Sequence, residues 1–274
     1  MRVDEQADSA VKAARIPGPL KRKIGQALHD WQMLSQGDRV LIAVSGGIDS
    51  LVAAWVLQHW RAKAPITYEL EAIHIVNGFA GKVAVDEVPA ESIGYQLRSW
   101  GIPFSVIDGW PAPESEPPNC FICARNRRSQ LFDLARQRGC SKLALGHHKD
   151  DLIETFFINT LYSGNISTML PRQELFAGRL NLIRVLSYLE KKEVLTIAEV
   201  AGIEPITDRC PLAGTTRRTT VRDLLTTIYE RIPGAKGSLF AALGNVRHEY
   251  LLTGRQSASG GCRSGTEGEY DGLS

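Results

Sequence analysis

Apolar positions along the chain follow two periods in alternation. Leu20, Ile24, Ala27, Leu28, Trp31 and Leu34 recur at helical spacing and predict a helix over residues 20–34, after a Pro17-Gly18-Pro19 stop. Residues 39–44 (RVLIAV) read as a short buried strand and residues 50–62 as an apolar helix. Further strands are predicted over 70–76, 104–107 and 142–145, separated by helices over 88–100 and 125–138, with another helix over 150–162. Strands alternating with helices imply βαβ units and a parallel sheet covered on both faces. After Gly164 the alternation gives way to one more strand over 182–185 and helices over 189–201, 219–231 and 236–252.

The chain has 274 residues, 43% hydrophobic and 23% charged, the balance of a water-soluble globular protein. At ~150 residues per domain this is two domains, or one large α/β unit with extensions. The pattern divides it into a lead-in and helix (1–37), an α/β domain (38–187), a helical region (188–252) and a Gly/Ser-rich acidic tail (253–274) expected to be disordered. The longest purely apolar run is residues 51–57, far short of the ~20 that a spanning helix needs. The first twenty residues carry Asp4, Glu5 and Asp8 and no apolar stretch, so no export signal and a cytoplasmic location are expected.

The sharpest local feature is SGGIDS, residues 45–50, between an apolar strand and an apolar helix. Gly46 and Gly47 let the backbone turn tightly and present its N–H groups to an anion, and the following helix aims its positive end at the same place. Ser45 and Ser50 add hydroxyls, and Asp49 could hold a Mg²⁺ carried by phosphates. The string is neither a Walker A loop nor a Rossmann fingerprint, and Ile48 supplies no cation. A plain strand-to-helix turn of small residues is the alternative.

Five cysteines, an odd number, with no export signal read better as ligands, reactive thiols or core residues than as disulfides. Cys120-Phe121-Ile122-Cys123 has a spacing that lets two thiolates bind one metal centre, and Arg125, Arg127 and Arg128 beside it favour thiolates. Cys210, in TDRCPLAG, could bring a third thiolate from a distant loop. Three thiolates suit an iron–sulfur cluster with one open iron better than a four-ligand structural zinc; a redox pair is the alternative for the C-x-x-C. Cys140 abuts a strand and is expected to be buried, and Cys262 lies in the tail. In LALGHHKDDLIET a strand ends near Gly146, and His147, His148, Asp150 and Asp151 crowd the next helix start. Such acids cap helices, but carboxyl ends of strands in open α/β sheets are also where ligands bind.

SGGIDS, the CFIC-ARNRR segment, ALGHHKDDLIETFFIN and the late Cys210 occur in the same order as in the tRNA 2-thiocytidine synthetase family of PP-loop ATPases, which the chain resembles from about Leu20 to about Leu252. The resemblance implies a PP-loop (adenine nucleotide α-hydrolase-like) fold with helical N- and C-terminal extensions. It implies ATP-dependent thiolation of cytidine 32 of tRNA, with ATP, Mg²⁺ and a 4Fe-4S cluster as cofactors. Ser45, Gly46, Gly47, Asp49 and Ser50 would then bind ATP phosphates and Mg²⁺, with Gly146, His147, His148, Asp150 and Asp151 lining the pocket. Cys120, Cys123 and Cys210 would hold the cluster and, with Asp49, carry the chemistry. A sulfur donor such as a cysteine desulfurase and a homodimer are implied too. The family commonly has Lys where this chain has Ile48, so charge compensation for phosphate must come from another Arg or Lys. The family's second C-x-x-C is reduced here to Cys210 alone, with Ala213 at the other place, and the stretch VNGFAGKVAVDE does not look like the family's usual loop.

With a net charge of +2, an RNA partner must rest on where the charges sit. Arg209, Arg217, Arg218, Arg222, Arg231, Lys236 and Arg247 form one basic group, and Arg125, Arg127, Arg128, Arg136 and Arg138 another. Other readings are the same ATP and cluster chemistry on another base or a small molecule, and a non-catalytic nucleotide-binding redox sensor.

Overall fold

The computed structural model describes residues 15–76, 88–111, 120–206 and 216–252; Cys210, Cys262, the lead-in before residue 15, the unusual loop and the tail lie outside them. The described chain forms α1 (Gly18–Asp30), β1 (Arg39–Ala43), α2 (Ile48–Arg61), β2 (Glu69–Val76), α3 (Val88–Ser99), β3 (Phe104–Asp108) and α4 (Cys120–Gln137). Then follow β4 (Lys142–Ala144), α5 (Lys149–Ser163), β5 (Arg172–Leu175), β6 (Leu180–Ile183), α6 (Lys191–Ala201), α7 (Arg217–Arg231) and α8 (Ala235–Ala242).

The sheet has six strands in the order β3-β2-β1-β4-β6-β5, parallel except for β5, which runs antiparallel to β6. Side chains of β1 alternate between two cores: Val40 and Ile42 join Leu20, Trp55, Leu97 and Ile197 on one face, while Leu41 joins Ile73, Leu131 and Leu143 on the other. Helices α1, α2, α3 and α6 therefore cover one face and α4 covers the other. Cys140 is buried, as expected, and burial pushes its thiol pKa up.

Several element ends differ from the sequence expectation for identifiable reasons. Helix α1 stops before Leu34 because Gln32 takes a left-handed φ of 44° and the Met33 N–H reaches back to the Leu28 carbonyl at 3.0 Å. Helix α4 starts at Cys120 rather than residue 125, since buried Ile122 extends its apolar face, so the C-x-x-C opens a helix instead of preceding one. Strand β5 was not expected: RQEL is short and polar, and as an edge strand it needs little apolar burial. The last helix ends at Ala242, with only a turn at His248–Tyr250 beyond it, because Val246, Tyr250 and Leu252 are exposed and nothing is buried to hold a longer helix.

The described chain divides into two compact units, residues 15–152 with 170–206, and residues 153–169 with 216–252. The second gathers the later part of α5, α7 and α8 around Ile153, Ile158, Val221 and Leu225. Within it the buried Glu154 carboxylate accepts from Arg222 Nε at 2.8 Å and lies 3.7 Å from Arg218.

Leu143, on the central strand β4, is fully buried. Leu143→Ala is expected to cost about 2–5 kcal/mol, read as a lower urea midpoint with an unchanged slope.

Candidate active site

The strand order reverses between β1 and β4, so the crevice beyond their carboxyl ends is where an open α/β sheet takes a ligand. The SGGIDS string occupies that place. Gly46 has a φ of +88°, which an L side chain rarely adopts, and its carbonyl accepts from the Ile206 N–H at 3.0 Å. Gly47 is the N-cap of α2. Ser50 is buried and locks the turn: its hydroxyl donates to the Gly47 carbonyl at 2.8 Å and accepts from the Ser45 N–H at 3.2 Å. Ser45 and Gly47 are exposed, presenting a hydroxyl and a helix N-terminus to solvent. His74, on β2, lies with Nδ1 2.8 Å from the Val44 carbonyl, so that nitrogen carries the proton.

Gly146 brings the second strand end against this loop. A Cβ there would stand 2.7 Å from the Asp49 carbonyl carbon and the Ser50 nitrogen, both backbone atoms. Only glycine permits the approach.

Three helices begin at this edge: α2 after β1, α5 after β4 and α6 after β6. Their unsatisfied N–H groups and positive dipole ends converge, and carboxylates join them. Asp151, in the first turn of α5, accepts from the His148 N–H at 2.9 Å and so caps its own helix. Asp150 accepts from the Lys191 N–H at 2.8 Å and caps α6. Asp49, in the first turn of α2, holds the Lys191 ammonium through both oxygens at 2.6 and 2.7 Å. His148 is buried among all three acids, with its ring nitrogens 3.8 Å from Asp49, 3.5 Å from Asp150 and 3.4 Å from Asp151. Burial alone would push its pKa down; the Asp150 carboxylate beside Nδ1 and the charges of Asp151 and Asp49 overcome that and hold it above the usual 6.5.

His147 points elsewhere. Its Nδ1 accepts from Arg184 Nε at 3.2 Å. Arg184 is only 3% exposed and also donates to the Leu170 carbonyl; burial, reinforced by the nearby Arg128 charge and opposed by Asp151, pushes its pKa down to about 10. Sequence reasoning named neither Arg184 nor Lys191. An arginine inside the apolar run LNLIRVL was a readable anomaly, whereas Lys191 looked like one half of an exposed Lys-Lys pair.

Cys120 and Cys123 stand apart in sequence and element, three residues apart at the start of α4. Cys123 is half-buried, with the Arg127 guanidinium 3.9 Å from its Sγ. Cys210 follows four residues after Ile206, the residue tied to Gly46. Among the described residues no group of three His, Cys, Asp or Glu side chains is arranged to hold a metal.

Residues 18–228 match the PP-loop domain family. The chain is 36% identical over 238 residues to the tRNA-cytidine(32) 2-sulfurtransferase of Geobacter sulfurreducens, covering 85% of this chain and 91% of that one. The chain belongs to this PP-loop family. A second member, from Citrifermentans bemidjiense, is 37% identical over 241 residues and matches over 92% of its length. Among solved structures, a U34-tRNA thiolase of Methanococcus maripaludis with its 4Fe-4S cluster shares the fold, at a TM-score of 0.68 and 22% identity over 82% of this chain and 77% of that one.

Two outcomes follow for this family member. Gly146→Ala forces Asp49 and Ser50 to shift and is expected to weaken Mg·ATP binding about tenfold or more, measured by calorimetry, with the fold retained. For His148, the folded pKa lies above the unfolded one, so the stability it contributes is complete below about pH 6.5 and is lost as pH rises through the raised value. The excess melting temperature of wild type over His148→Gln should accordingly shrink from about pH 6 to about pH 9, and a pH-independent difference would refute this reading.

Proposed function

We propose that the protein is an ATP-dependent tRNA sulfurtransferase that activates the C2 carbonyl of cytidine 32 and replaces its oxygen with sulfur. The observation that carries this reading is the loop of residues 45–50 at the sheet switch point, closed by Gly146 and faced by three helix N-termini. It is supported by membership of a family whose curated relatives are tRNA-cytidine(32) 2-sulfurtransferases.

The backbone N–H groups at the start of α2 and the Ser45 hydroxyl bind the β- and γ-phosphates, and Asp49 meets the Mg²⁺ that ATP brings. Stabilising charge on departing pyrophosphate is the task of this N–H cradle, preorganised by the Ser50 bonds. The base oxygen attacks the α-phosphate, the bond to the β-phosphate breaks, and pyrophosphate leaves. A sulfur nucleophile then attacks C2, and the original oxygen leaves within AMP.

Cys120, Cys123 and Cys210 are assigned as ligands of a 4Fe-4S cluster. The donor chemistry fits: two cysteines stand three residues apart at the start of α4, the second lies beside a guanidinium, and the third follows in sequence a segment anchored at the loop of residues 45–50. When bound, such a cluster supplies an iron with an open coordination position as a place for the sulfur to be transferred. That sulfur would come from a donor such as a cysteine desulfurase, and we assign the enzyme to the cytoplasm as a homodimer.

For the RNA, several arginines expected to face phosphates are engaged within the protein. Arg222 and Arg218 neutralise Glu154, Arg138 pairs with Glu71, and Arg136 pairs with Asp133. Arg217 instead lies 5.0 Å over the exposed Tyr162 ring in the second unit, a planar pair suited to an unstacked base or a phosphate.

Anaerobically purified protein should carry about four irons per chain, lost in Cys210→Ala, and should form 2-thiocytidine in tRNA with ATP and a sulfide source. Zinc in place of iron, or full thiolation by Cys210→Ala, would overturn the assignment.

A further inference from the structure

The loop of residues 45–50 has one charged side chain, Asp49, and its sign is wrong for a phosphate. Ile48 offers no cation to balance the polyphosphate. Helix dipoles and N–H groups supply partial charges only, so a full positive charge has to arrive from another element.

Lys191 is placed to do this. It is the first residue of α6, and its backbone N–H is pinned by Asp150 at 2.8 Å, so its Cα is held at the mouth of the site. Its ammonium lies 2.6 and 2.7 Å from the two Asp49 oxygens, directly beside the loop. The side chain is 40% exposed, so the ammonium is held from one side and open to solvent on the other.

The position is electrostatically unfavourable for a lysine on local grounds. A cation at a helix N-terminus opposes the dipole, and a surface ion pair returns little. Neither capping nor pairing accounts for a lysine here; an incoming polyanion does. Two other cations nearby are committed elsewhere. Arg184 is buried against His147 and Leu170, and Lys23 is bonded to Glu193 at 2.7 Å.

We propose that Lys191 is the phosphate-binding lysine of this site, delivered from α6 in place of a lysine in the loop itself. In the free protein Asp49 holds the ammonium beside the cradle. On binding of Mg·ATP the Mg²⁺ becomes the counter-charge of Asp49, and the ammonium donates to phosphate oxygens. The exchange costs no unpaired charge, because each member of the ion pair gains a partner as it loses one.

This inference rests on the ATP-binding reading of the loop, and the test separates the two. Binding of Mg²⁺ with α,β-methylene-ATP, which cannot be cleaved at the reacting bond, and of adenosine, which lacks phosphate, is measured by calorimetry for wild type, Lys191→Met, and Lys191→Met with Ile48→Lys. Lys191→Met should bind the analogue roughly 10- to 100-fold more weakly while keeping its adenosine affinity, and Ile48→Lys should restore part of the loss. Unchanged analogue affinity in Lys191→Met would overturn the inference and leave the ATP reading standing. An equal loss for adenosine would also overturn it, since Lys191 would then hold the site together without touching phosphate. A wild-type chain that binds neither compound would overturn the ATP reading and this inference with it.

Discussion

Three helix N-termini meeting at one sheet edge is the constraint around which this protein is arranged. Each brings unsatisfied N–H groups and a partial positive charge, and charges of one sign do not gather without compensation. Asp49, Asp150 and Asp151 supply it, and each does so for a different pair of elements: α2 to Lys191, α5 to α6, and α5 to its own preceding residue. The resulting network is therefore both a set of helix caps and a lining of the crevice at the sheet switch point. Acidic residues that look like capping choices and acidic residues that look like site residues are here the same residues.

That double use explains the burial of His148. An imidazole surrounded by three carboxylates is a better cation than a free one, and in its protonated form it offsets their mutual repulsion. It acts on the site through them, while His147 is turned to Arg184. Glycine has the complementary role. Gly146 lets the β4 end touch the α2 start, and Gly46 lets the loop turn back under its own helix. Side chains at either place would separate the elements whose termini must converge.

Several charges elsewhere are spent on the protein itself. Glu154, buried in the second unit, takes up arginines of α7, and Glu71 takes up Arg138. A count of basic residues thus overstates the surface available to a nucleic acid. Arg217 is held differently, over the exposed Tyr162 ring.

The sequence by itself determined the alternation of strands and helices, the parallel sheet, the tight glycine turn after β1 and the C-x-x-C spacing, because period, glycine placement and short spacings are local properties. It also placed Cys140 in the core. Only the tertiary structure decided what depended on residues distant along the chain. Strand β5 is held by an edge pairing and has no apolar pattern of its own; the last helix shortened because nothing covers its continuation. Lys191 lies 142 positions from Asp49, and no local signal distinguishes it from the lysine beside it. Its role follows from the sheet order that sets β6 next to β4, and so brings the start of α6 to the mouth of a loop formed after β1.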